Sequence, residues 1–110
     1  MISPEGKKLI EDTPGGQELT LVLQWDGTAD LPHGFDQLSR EERTRVFAAK
    51  MDAKKLPMLD LLRAEGVSVV DLGGGHASAT GTRERWGSVV GRLESDEDVL
   101  VVPNSTFEAF

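Results

Sequence analysis

At 110 residues, with 38% hydrophobic and 28% charged content, the chain is long enough to bury one core without a metal, and it has no cysteine for disulfides or thiolate chemistry. Nineteen acidic against twelve basic residues leave a net charge of −7, which argues against nucleic acid and anionic membrane as partners. No apolar run approaches membrane-spanning length, and residues 1–8 lack the apolar stretch of a signal peptide. The expected compartment is therefore the cytoplasm, or the outside of the cell if the chain is a processed piece of a secreted precursor.

Residues 1–16 end in Thr13, Pro14, Gly15 and Gly16 and read as a flexible lead-in to a domain over 17–103. Leu19, Leu21, Leu23 and Trp25 alternate with Thr20, Val22 and Gln24, which predicts a half-buried strand over 18–25. The breakers Asp26, Gly27, Pro32 and Gly34 mark a loop. Ser39 followed by Glu42 fits a capping box, opening a helix from Arg40 to about Lys54 that buries Val46, Phe47 and Met51. Pro57 is expected to break or kink that helix, and a second helical stretch carries Leu59 and Leu62 to Glu65, with Gly66 as its C-terminal cap.

The second half has clearer periodicity. Residues 67–72 form a strand, Gly73, Gly74 and Gly75 a flexible connection, and residues 76–81 a second strand of small residues. Thr82 caps a helix whose Trp86, Val89, Val90 and Leu93 make one apolar stripe. Ser95 to Asp98 end it, and residues 99–102 are a last, all-apolar strand. The order β-α-β-β-α-β predicts an α+β, ferredoxin-like fold: a four-stranded antiparallel sheet with two helices on one face.

Beyond that strand lies a tail of Asn104, Ser105, Thr106, Phe107, Glu108, Ala109 and Phe110. Pro103 cannot extend a central strand, and two phenylalanines three apart on an extended peptide suit a groove that takes alternate side chains into pockets. The other reading folds both rings back onto the chain's own core. No catalytic constellation competes with the tail. The triple glycine lacks a Walker lysine and a following strand–loop–helix context. The two histidines, His33 and His76, lie far apart in sequence, so a zinc site would need two carboxylates of no evident spacing. Ser78 and Ser105 have no neighbouring histidine–acid set, Asp96, Glu97 and Asp98 read as a solvated turn, and Trp25 and Trp86 fall on core-facing positions. The chain is expected to have no cofactor and no enzymatic activity.

Leu59 and Leu62 before Glu65, Gly66 and Val67, then the small-residue run Ala77 to Thr82, a helix, and Asp98, Val99, Val102, Pro103 and Asn104 together resemble the prodomains of subtilisin-like serine proteases. Free-standing proteinase inhibitors belong to the same family. The resemblance spans about 18–110 and is strongest over 56–110. It implies an inhibitor and folding assistant of a subtilisin-type protease, with the sheet packed on surface helices of the enzyme and the tail lying product-like in its cleft. Phe110 would then fill the pocket before the scissile bond, with its carboxylate near the catalytic serine. Ala109 would take the next, shallow subsite, Glu108 would face solvent, and Phe107 would enter the large apolar pocket further upstream, with Thr106 leading in. Family members often carry acidic residues after the last strand to cap helix N-termini of the protease; here Asn104 or Ser105 would make those bonds without the charge. Gly73 to His76 also departs from the bulkier stretch usual there. Two alternatives from other classes stand beside this reading: a small-molecule-sensing regulatory domain, and a homotypic assembly or adaptor domain that docks its apolar tail on a neighbouring subunit.

Overall fold

A computed structural model describes residues 1–25 and 33–104. Strand β1 (Glu18–Trp25) is a central strand with large side chains buried on both faces: Leu21, Val22 and Leu23 have no exposed surface. It pairs antiparallel with β3 (His76–Thr82) on one side and with β4 (Val99–Pro103) on the other. Strand β2 (Ser68–Gly73) pairs antiparallel with β3 and forms the far edge, giving the order β2-β3-β1-β4. Helices α2 (Arg40–Ala64) and α3 (Arg83–Ser95) complete the ferredoxin-like βαββαβ arrangement, and a further helix, α1 (Pro4–Asp12), precedes it.

The period of two along each strand sorts its residues by parity. Odd positions face the helices: Leu21, Leu23, Trp25, Ala77, Ala79, Val99 and Val101 share one cluster with Met51, Met58, Leu59 and Leu62 of α2 and Trp86, Val89 and Leu93 of α3. Trp86 is fully buried in this cluster, and its Nε1 donates to the Leu19 carbonyl at 2.9 Å. The expected caps form: Ser39 Oγ accepts from the Glu42 amide and Thr82 Oγ1 from the Arg85 amide.

Pro57 does not end the helix. Helix α2 runs through it for 25 residues. The proline removes one main-chain bond and crowds the preceding turn, a cost of about 3 kcal/mol. Burial of Met58, Leu59 and Leu62 just beyond it contributes about 1.5–3 kcal/mol each and outweighs that cost. At the other end, Arg40 to Lys50 stand largely in solvent. Val46 and Phe47 are only half-buried, and Met51 is the first residue of α2 sunk in the core.

Residues 1–16, expected to be a flexible lead-in, are built into the fold instead. Ser3 caps α1 through a bond from the Gly6 amide at 3.0 Å, with Pro4 at the first helical position. Ile2 forms a parallel bridge with Val101: the Ser3 amide donates to the Val101 carbonyl and the Val101 amide to the Met1 carbonyl, both at 2.9 Å. The Met1 amino group donates to the carbonyls of Leu93, Asp96 and Val99. Farther along, the Gly16 amide donates to the Glu84 carboxylate, which tethers the turn before β1 to the start of α3. Ile2 and Ile10 are buried and belong to the main cluster. A nine-residue helix is marginal alone, so this burial holds it in place. Ile2→Ala is accordingly expected to lower the unfolding free energy by about 2–4 kcal/mol, read as a shift of the urea midpoint; an unchanged midpoint would mean that the segment contributes nothing to the fold.

Candidate protein-docking face

Even-numbered strand positions point away from both helices and form the opposite face of the sheet. Its middle row is Val70, Ser78, Val22 and Val102, aligned by the register of the four strands. One row nearer the start of β1 stand Ser68, Thr80 and Thr20, where the two threonine hydroxyls bond to each other at 2.7 Å. On the other side His76, Gln24 and Leu100 align, with Leu72 beside them at an irregularity between Asp71 and Gly73. Across these three rows there is no lysine, arginine, aspartate or glutamate, in a protein of which 28% is charged. Val70 and Leu72 are 56% and 46% exposed. Depletion of charged residues is one feature of the central part of a protein interface.

The tail leaves from this sheet. Pro103 is buried as the last residue of β4, opposite Leu21, and Asn104 follows it half-buried. Of the residues expected to occupy a protease cleft, Ser105, Thr106, Phe107, Glu108, Ala109 and Phe110 lie outside the described residues. The expected loop residues 26–32 lie outside them too.

An anchor that sequence reading missed stabilises the β2 end of the sheet. Lys55, in the middle of α2, is 3% exposed, and its Nζ donates to Asp71 Oδ1 at 2.9 Å and to the Gly74 carbonyl at 2.8 Å. Asp71 Oδ1 also accepts from the Gly73 amide at 2.9 Å. One side chain thus holds both β2 and the turn into β3. The turn is tight rather than flexible: Gly73 and Gly74 adopt positive φ, and the Gly75 carbonyl accepts from the Trp25 amide at 2.8 Å. A Cβ at Gly75 would stand 2.5 Å from the Trp25 carbonyl oxygen, so any side chain there would push the hairpin off β1. A lysine at the spacing of Met51, Met58 and Leu59 is the only trace of this anchor in the sequence, and its partner sixteen residues on cannot be read from periodicity.

The Lys55 ammonium, first, and the Gly73 amide hold the Asp71 carboxyl below its ordinary 3.8. A carboxyl whose folded pKa is depressed stabilises the fold above its ordinary pKa and loses that contribution as the pH falls through the lowered value. Asp71→Asn is therefore expected to flatten the acid limb of stability against pH, measured as urea midpoints between about pH 6 and pH 3. An acid limb identical to that of the wild type would assign the acid sensitivity elsewhere.

A cleft of about 570 Å³ lies between α2 and the turn from α3 into β4, where Pro57, Met58 and Leu61 meet the charged ends of Lys54, Arg92, Asp96, Glu97 and Asp98. Small-molecule sites are more enclosed and mostly apolar. No described helix is long and apolar enough to cross a membrane. Comparison with family models, curated proteins and solved structures finds no match.

Proposed function

We propose that this chain binds a subtilisin-type serine protease as a prodomain-like inhibitor and folding assistant. The observation that carries the reading is the outer face of the sheet, whose three central rows hold no lysine, arginine, aspartate or glutamate, with a phenylalanine-bearing tail that follows strand β4. A rigid four-stranded sheet supplies binding area at little entropic cost on docking, because its backbone is ordered beforehand. Tail and face then divide the work. The face docks on the enzyme's surface and raises the local concentration of the tail, and the tail occupies the cleft in the manner of a product. Inhibition lasts as long as the domain stays folded, and ends when it is cut and unfolds.

The test is a titration of the purified chain against a subtilisin with a chromogenic peptide substrate, following progress curves. Competitive inhibition at submicromolar concentration, lost when residues 107–110 are removed, is the expected outcome. A folded chain that inhibits none of several subtilisin-type enzymes would overturn the proposal.

A further inference from the structure

An open sheet has two edges with unpaired backbone groups, and here the described residues cover one of them. The outer side of β4 bonds to Met1 and Ser3 on either side of the Ile2 bridge. Among the described residues, no strand or bridge pairs with the outer side of β2. Edge strands usually carry a lysine, a proline or an inward charge that discourages further pairing. Residues 68–73 contain neither lysine nor proline. Their one charge, Asp71, is on the helix side and already bonded to Lys55. Val70 and Leu72 remain the most exposed large apolar side chains of the sheet.

The geometry points to a second copy of this chain as the occupant of that edge, with β2 paired antiparallel to its counterpart about a two-fold axis normal to the sheet. Such an axis keeps both outer faces on one side, so only residues of equal parity can oppose each other. Placing Asp71 opposite its own counterpart sets like charges across the junction, which destabilises a pair. Placing Val70 opposite Val70 avoids this, packs the two valines on each other, and sets Leu72 against Ser68 in both halves. Asp71, the one charge of β2, is paired within each copy with Lys55. Repulsion between copies of net charge −7 therefore acts from farther away, where salt screens it. A six-residue junction buries less than a standard interface, which sets a weak, concentration-dependent dimer that tightens as salt is raised. The product is a continuous eight-stranded sheet with two outer faces side by side.

Sedimentation equilibrium of the intact chain over a range of concentrations tests this without any protease. A monomer–dimer equilibrium that shifts toward dimer with added salt is expected. Val70→Lys and, separately, Leu72→Lys should each weaken the dimer at least about tenfold while retaining the wild-type circular dichroism, since both side chains are already exposed. Leu100→Lys, on the same face but on the far strand β4, should leave the dimer intact. A monomer at every concentration overturns the inference. So does a dimer broken by Leu100→Lys and indifferent to Val70→Lys, which would mean face-to-face stacking.

Discussion

Phe110→Asp is expected to raise the inhibition constant against a subtilisin-type protease about 100-fold or more, with the melting temperature unchanged. In the proposed pose the ring is the most deeply desolvated group of the tail. Aromatic anchors of that kind cost about 2–4 kcal/mol when removed, equivalent to roughly 30- to 1000-fold in binding. Aspartate adds an unpaired carboxylate in an apolar pocket, beside the terminal carboxylate, which raises the cost further. Phe107→Ala removes the second anchor from a pocket nearer the rim and is expected to cost about tenfold. Inhibition constants for the wild type and the Phe107→Ala, Phe110→Asp double variant that agree within error would sink the pose. The unchanged melting temperature matters as much. A clear loss of stability in Phe110→Asp would mean that the ring packs on the chain's own core, the rival reading of the tail.

The second large effect concerns the fold. Trp86→Ala is expected to lower the unfolding free energy by about 3–5 kcal/mol, a large part of the 5–15 kcal/mol typical of a domain. Trp86 has no exposed surface and belongs to the core cluster between the helices and the sheet. Its removal opens a cavity that backbone-bonded strands cannot close, and it strips the Leu19 carbonyl of its indole donor. Trp86→Phe retains most of the apolar contact and should cost distinctly less. Urea unfolding followed by circular dichroism measures both, and a Trp86→Ala protein as stable as the wild type would mean that α3 is not docked as described. In the proposed pose a rigid sheet presents the tail, so Trp86→Ala should also weaken inhibition, whereas Phe110→Asp should weaken inhibition alone.

How much of this was legible in the sequence differs from element to element. The alternation of Leu19, Leu21, Leu23 and Trp25, the stripe of Trp86, Val89 and Leu93, and the caps at Ser39 and Thr82 are local signals. They were enough for the element order and the ferredoxin-like sheet. The helix at Pro4–Asp12 also had local signals, Ser3 as cap and Pro4 behind it, but a helix that short takes its stability from where Ile2 and Ile10 land. Pro57 was a penalty of known size whose outcome depended on burial contributed by distant strands.

For the candidate site, the tail was conspicuous in the sequence, and the face beside it was not. Thr20, Val22, Gln24, Ser78 and Thr80 read singly as the solvated side of two strands. Only the register sets Val70, Val22 and Val102 in one row and shows that no charge interrupts them. By itself, then, the sequence determined the four strands, helix α3 and the start of α2, because hydrophobic periodicity and capping act within a few residues. Tertiary structure alone decided that the N-terminal segment covers β4, that α2 continues through Pro57, that Lys55 joins Asp71 to the glycine turn, and that β2 has no strand partner on its outer side among the described residues. Each of those outcomes sums burial and hydrogen bonds between residues far apart in the chain, and no local pattern carries that sum.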